Sequence, residues 1–500
     1  MINHELTDIT KKSGIVFLGR ILGVIFGFFF SVLAARYMGA SAYGKIMYVI
    51  TIITAISIVT KLGLTQGLVQ FVAKLSDKKE YIKRNSLISF SILIVLSFSI
   101  LMSALLFFSS KFIAVNIFNN IEIAALLRVM SPILILFSLI EITPGIFRGL
   151  HIVKYQVIGR DLIQSLIRLI SVFILGYLGY KLSGLVISYY ISMTISIIYL
   201  LYKLYRLRLI GKIKKEYIKS YKKILVFSSP LLVSGLLHYL IGKIDIFMIG
   251  YFLESTEVGI YIIALKIATL ANFLLFSINS IFAPKITSLF YNNQMEKLKR
   301  LYQVLTKWIF ATNLTAFFII LVLSRDIMNI FGNEFIFGWL ALILIAAGQV
   351  INAGVGSAGL INIMTGYPHS ELYISSIVFI LNAVLNYLLI PIYGIEGAAI
   401  ASLISIGILN LLRLYILYNR LNFLPYNKNY LKVITAIIIG FIVASIISPY
   451  IQLHYLIRII LIGFIYLTVI VLLNFIFGLE EEDMLILNKI LDKLNLKMNI

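Results

Sequence analysis

Fourteen apolar runs of about 20 residues each recur along a chain of 500, and few folds are open to such a pattern. They lie at about 14–37, 43–64, 86–108, 122–145, 157–179, 182–203, 224–251, 257–283, 303–323, 336–362, 371–391, 395–417, 430–449 and 455–477. About 20 residues of α-helix cross the hydrocarbon core of a bilayer. In that medium a backbone must satisfy its own polar groups, which leaves only helices and closed barrels. A barrel is excluded because its strands alternate apolar and polar residues, whereas these runs are apolar all round. The expectation is an all-α integral membrane protein of about 14 transmembrane helices. Composition agrees: 61% of residues are hydrophobic, 13% are charged, and the mean hydropathy is +1.01. A soluble domain would be nearer a quarter charged.

The chain also repeats itself. Tyr180, Gly184, Ile191 and Ser192 meet Tyr393, Gly397, Ile404 and Ser405 at a constant offset of 213 residues. Tyr37, Ser41 and Gly44 meet Tyr251, Ser255 and Gly259 at offsets of 214 to 215, and Lys83-Arg84 meets Lys299-Arg300 at 216. A slow drift over six apolar segments is what two diverged copies of one helical bundle show. The expectation is two pseudo-symmetric six-helix lobes, 1–206 and 224–420, joined by a basic linker at 207–223, with two extra helices at 421–478 and a tail at 479–500. Membrane proteins built from such copies commonly rock them about a shared central site.

The net charge of +22 reports topology rather than nucleic-acid binding. With the N-terminus inside, the inside segments carry 31 Lys and Arg and the outside segments five: Lys45, Lys111, Lys181, Arg325 and Arg458. That asymmetry is the positive-inside bias, which places both termini in the cytoplasm of a multi-pass protein of the cytoplasmic membrane. Residues 1–13 are polar and no cleavage-type site follows the first run, so that run is expected to be retained. The linker sets Leu209, Ile213 and Tyr217 at helical spacing above its lysines and suits an interfacial helix or a solvated loop. The tail opens with Glu480, Glu481, Glu482 and Asp483, then aligns Met484, Leu487, Leu491 and Leu494 on one face, the pattern of a short amphipathic helix. Cysteine is absent and no pair of the five histidines stands at metal-ligand spacing, so no metal site and no cofactor are expected. Gly354 to Gly359 spells GxGxxG inside an apolar run, without the strand–turn–helix setting a dinucleotide site needs.

Ionisable residues inside the runs carry the functional expectation, since each is costly unless it faces water or a partner. Arg20, Lys61 and Arg168 in the first half, with Lys243 and Lys266 in the second, form the expected substrate-binding cationic set. Arg36 and Arg128 lie nearer the rims. Asp245 and Glu141 are the acids at which a coupling ion, H+ or Na+, could act. A cavity so lined suits a phosphate or pyrophosphate. Span 1 aligns Arg20, Gly23, Gly27 and Ser31, a small-residue stripe that fits close helix packing or a cavity wall. The second half is instead rich in amides, among them Asn272, Asn279, Asn352, Asn362, Asn382, Asn386 and Asn410. These suit sugar hydroxyls and helix gluing alike. No outside loop is large or acidic enough for the chemistry of a membrane glycosyltransferase, so the expectation is a transporter with no catalytic residues.

Residues 19–23 (Gly-Arg-Ile-Leu-Gly) and 35–44 (Ala-Arg-Tyr-Met-Gly-Ala-Ser-Ala-Tyr-Gly) resemble the opening of the polysaccharide-export flippases, including O-antigen (Wzx-type) flippases, of the multidrug/oligosaccharidyl-lipid/polysaccharide superfamily. Residues 386–399 are similar to that family's turn between spans 11 and 12, and Phe147-Arg148-Gly149 also fits. The resemblance implies a flippase moving a lipid-linked oligosaccharide from the inner to the outer leaflet by alternating access. It implies membrane lipids and polysaccharide assembly proteins as further partners, with a monomer expected. Lipid II flippases carry an Arg-Asp pair soon after the arginine matching Arg20, where this chain has Phe26-Gly27. Cation-coupled multidrug exporters often place an acid in the first span of a lobe, and span 1 has none. Both remain as alternatives.

Overall fold

The computed structural model describes residues 2–427, 430–478 and 484, with side chains from Leu18 onward except Ser280. Every regular element among them is helical. The amphipathic tail expected at 479–500 lies outside the described residues, Met484 apart. Nine described helices are long and apolar enough to cross a membrane, or eleven if each of two bent pairs is one span. The chain is therefore a multi-pass, all-α membrane protein. Phe108 and Tyr177 remain 80% exposed and Ile281 77%, a surface that suits lipid rather than water.

The chain divides into two compact units, Met1–Ile262 and Ile263–Ile500. The first holds α1 (Ile2–Thr60), α2 (Leu64–Asp77), α3 (Tyr81–Phe112), α4 (Ala124–Met130), α5 (Ile133–Gly149), α6 (Lys154–Gln156), α7 (Gln164–Tyr177), α8 (Leu182–Arg206), α9 (Ile218–Ile241) and α10 (Ile244–Phe252). The boundary falls within α11 (Ser255–Leu270). The second unit holds α12 (Phe273–Tyr291), α13 (Met295–Asn329), α14 (Trp339–Val355), α15 (Ala358–Met364), α16 (Pro368–Leu421), α17 (Tyr430–Ile447) and α18 (Tyr455–Ile476). The repeat divides the sequence in the basic linker, whereas packing groups α9 and α10 with the first unit. In the second unit α17 and α18 flank α13, with Phe318 stacked on Phe441 at 4.5 Å and Tyr466 buried beneath.

The count differs from fourteen because of the joints. Runs 14–37 and 43–64 are continuous as α1, turned only at Gly39 (φ 77°), and runs 371–391 and 395–417 are continuous as α16, turned at Gly394 (φ 59°). Both glycines hold a positive φ that a side chain would resist. Other runs break. Ile121–Met130 meets Ile133–Gly149 at 60°, and Ser255–Leu270 meets Phe273–Asn279 at 50°. The run at 157–179 opens as a π-helix, Val157–Ile163.

At the breaks, neighbouring side chains add hydrogen bonds to backbone carbonyls. Ser103 donates to the Ser131 carbonyl beside Pro132 at 2.9 Å, and Ser196 to the Gly159 carbonyl in the π-helix at 2.9 Å. Asn313 donates to the Ala271 carbonyl at 3.3 Å, and Tyr302 to the Val355 carbonyl where α14 stops at Gly356, at 2.7 Å. Inside helices, Pro144 and Pro230 cannot donate to the carbonyls four residues back. The hydroxyl just before each proline does so instead: Thr143 to Ile140 at 2.8 Å, and Ser229 to Val226 at 3.0 Å.

The linker does not form the interfacial helix. Residues 209–214 are without regular structure and lie against the start of α3. Asn85 donates to the Arg208 carbonyl at 2.6 Å, and Ser89 and Ser86 accept from the Gly211 and Lys214 amides at 2.9 and 3.2 Å. With its polar backbone held this way and Leu209 buried, the segment gains little from coiling. At the head of α3, Lys83 donates to Glu80 at 2.9 Å and holds that carboxyl below the usual carboxylate range.

The repeat-equivalent glycines Gly44 and Gly259 pack on one another inside the first unit. A Cβ on Gly44 would lie 1.8 Å from the Ser255 carbonyl oxygen, and one on Gly259 would lie 2.3 Å from that of Ala40. Nearby, Tyr48 donates to the Phe247 carbonyl at 3.1 Å and its ring covers Gly250. Gly44→Ala is expected to lower the thermal midpoint of the detergent-purified protein by an amount equivalent to about 1–3 kcal/mol, the usual cost of overpacking. Gly27→Ala, with nothing within 4 Å of the added atom, is expected to leave it unchanged.

Candidate functional site

A cavity of about 260 Å³ opens within the first unit, walled by the end of α1, the start of α2, α5, the π-helix and α9. Leu62 and Gly63 carry positive φ values of 52° and 69°, so the chain turns sharply after α1 and leaves Lys61 at the cavity wall. Small residues draw the walls together. A Cβ on Gly63 would lie 2.2 Å from the Ser228 carbonyl oxygen, and one on Gly145 would lie 2.2 Å from that of Thr65. Thr65 also donates to the Glu141 carbonyl at 3.1 Å, which fixes the backbone of α5 against α2.

The charged lining is Lys61, Glu141, Arg148 and Arg160, three cations to one acid. Glu141 is shared: Oε2 lies 3.6 Å from the Lys61 Nζ, and Oε1 lies 2.7 Å from an Arg160 terminal nitrogen. Arg148 donates to the Gln156 side-chain oxygen at 3.4 Å and has no carboxylate at ion-pair distance among the described residues. The cavity thus keeps a net charge of +2 and a guanidinium fork that no acid engages. Planar forks of this kind accept phosphate and carboxylate oxygens two at a time.

Of the residues expected from sequence, Lys61 and Glu141 line this cavity. Arg20 is exposed beside it. Gly23, three residues on, packs against the Asp161 carbonyl, next in sequence to Arg160 of the lining. Arg168 lies elsewhere in the unit, held between rings 4.2 Å from the Tyr189 centroid and 5.6 Å from that of Phe30, with Ser192 accepting from Nε at 3.4 Å. Lys243 caps α10 at its break from α9, and the buried Asp245 accepts a hydrogen bond from the Tyr261 hydroxyl. Lys266 belongs to the second unit.

Arg148 and Arg160 are the residues the sequence reading missed, because both were counted among loop charges. A signal existed: Arg148 stands seven residues after Glu141, two helical turns, and so on the same face. The amides of the second unit are taken up by packing and backbone. Asn272 donates to Gln349 of α14 at 2.5 Å, Asn382 to Ser405 across the turn of α16 at 3.1 Å, and Asn386 to the Asn382 carbonyl one turn back at 2.9 Å. Asn362 donates to the Arg413 carbonyl at 3.2 Å, beside the paired Glu371 and Arg413 side chains.

The ring contacts give Arg168 a packing role that a lysine cannot fill. Arg168→Lys is expected to lower stability by about 1 kcal/mol, the size of a partly desolvated cation–π contact, read as the thermal midpoint in detergent. A rise in the midpoint would show that the rings do not hold the guanidinium.

Residues 9–290 match the family model described as polysaccharide biosynthesis protein, and residues 230–388 match the model described as MatE. Over 402 residues the chain is 22% identical to a probable low-salt glycan biosynthesis flippase, Agl15, of Haloferax volcanii, covering 80% of this chain and 82% of that one. Among solved structures it is similar to a lipid II flippase, MurJ, in an inward closed conformation. The TM-score there is 0.70 at 17% identity, over 93% of this chain and 99% of that one. It is also similar to an inward-facing multidrug resistance transporter of the MATE family, with a TM-score of 0.65 at 13% identity over 79% and 94% of the two chains. At these identities the structures speak for the fold.

Proposed function

The chain belongs to the polysaccharide biosynthesis protein family, and on that premise we propose that it is a flippase for a lipid-linked oligosaccharide. It carries a polyprenyl phosphate or pyrophosphate sugar from the inner to the outer leaflet of the cytoplasmic membrane by alternating access, with both termini in the cytoplasm. It is a transporter rather than an enzyme. The observation that carries the reading is the net positive cavity of Lys61, Arg148, Arg160 and Glu141, in a chain whose curated relative is a glycan flippase. In this proposal the cations take the phosphate group of the carrier while the sugar extends away from them. Asp245, buried against Tyr261, is the acid assigned to a coupling H+ or Na+. Arg20, at the rim, draws the headgroup in.

Cells that depend on this chain for surface polysaccharide test the reading. Arg148→Ala and Arg160→Ala are expected to lower export at least tenfold while the protein still inserts. Arg→Lys at either site is expected to retain part of the activity, since a point charge keeps attraction but loses the fork. Export at the wild-type level by both alanine variants overturns the headgroup site. Export of lipid II, but not of the oligosaccharide, by the wild type would reassign the cargo.

Orientation is tested in a chain without cysteine. A cysteine at Lys215 is expected to resist an impermeant maleimide in intact cells and to react after permeabilisation. Labelling in intact cells reverses the topology and the direction of transport with it.

A further inference from the structure

We propose that Glu141 is a resident anion, which occupies the cationic cavity when it is empty and is displaced by the phosphate of the substrate. The inference rests on the headgroup reading above and adds a role for the one acid in the lining. Three cations share a small cavity walled by protein, where like charges repel more than in bulk solvent. Glu141 meets two of them at once, Lys61 at 3.6 Å and Arg160 at 2.7 Å. A carboxylate so placed fills the position that a phosphate oxygen would take, because both are oxyanions that accept from the same ammonium and guanidinium donors.

The surroundings leave this carboxylate able to swing while its backbone stays fixed. Thr65 holds the Glu141 carbonyl at 3.1 Å, so movement belongs to the side chain. Its partner Arg160 is 35% exposed and open to an incoming group from the cavity. Arg148 stands by without an acid and offers the first contact. The sequence of events is an exchange. Phosphate docks on Arg148, displaces Glu141 from Arg160 and Lys61, and leaves when Glu141 returns. One anion replacing another avoids ever exposing three unpaired cations, and it keeps the site from holding phosphate too tightly to release it. Binding too strong in the loaded state would slow turnover.

Inorganic pyrophosphate is the probe, applied to the purified full chain in detergent by calorimetric titration and by thermal melting, which a bound ligand raises. Glu141→Gln removes the competing charge and is expected to tighten pyrophosphate binding about tenfold while slowing export in cells. Glu141→Asp keeps the charge but shortens the reach by one methylene. It is expected to give a smaller tightening, and it supplies the answer if the glutamine variant does not fold. Equal or weaker binding by the folded variant overturns the resident-anion role. The arms separate the two ideas. If Arg148→Ala loses pyrophosphate binding but the Glu141 variants bind no tighter than wild type, this inference fails and the headgroup site stands. If the wild type does not bind pyrophosphate at all, both fail.

Discussion

A backbone carbonyl or amide in hydrocarbon has no water to turn to, and leaving one unpaired costs several kcal/mol. Several irregular points among the described residues answer to that constraint. Ser103, Ser196, Asn313 and Tyr302 each reach from a neighbouring helix to a carbonyl at a break or a π-turn. Thr143 and Ser229 do the same locally for Pro144 and Pro230. Such hydroxyls read as neutral polar decoration in a hydropathy plot. They are what allows helices to bend at membrane depth, and the bends in turn aim side chains at the cavity. Pro144 lines the cavity itself, three residues from Glu141.

The two units spend their polar residues differently. In the first, cations gather around one acid and leave an excess of positive charge. In the second, amides bond to each other and to backbone, and the half-buried Glu371 and Arg413 neutralise one another. A half-buried pair of that kind contributes little net stability, because desolvation and screening offset most of the attraction. Its effect is geometric: it ties α16 back upon itself across the turn at Gly394. The unbalanced charge of the cavity lining therefore belongs to the first unit, although the two halves share a sequence pattern.

Much of this was legible in the sequence. The apolar runs locate the helices, and the run at 224–251 breaks at Gly242, since α9 stops at Ile241 and α10 begins at Ile244. Lys61 and Glu141 were visible as charges too deep to be solvated. What stayed hidden has a common cause. Arg148 and Arg160 stand near run ends, where counting loop charges for topology removes them from the site. Only packing shows that their side chains turn inward. Arg168 shows another local effect: its depth suggested a cavity, and the packing sets it between the rings of Tyr189 and Phe30, away from the lining of Lys61 and Glu141. The irregular path of residues 209–214 is set by Asn85, Ser86 and Ser89 more than 120 residues earlier, which no local pattern reports.

The packing of Gly44 on Gly259 bears on substitution. Gly44 in α1 and Gly259 in α11 each present bare backbone to the other, so a side chain on either would strike a carbonyl oxygen across the seam. In an ordinary core contact a larger residue on one side can be offset by a smaller one opposite. Here neither side has anything smaller to give. The two positions are therefore constrained together, and the seam admits no compensating exchange.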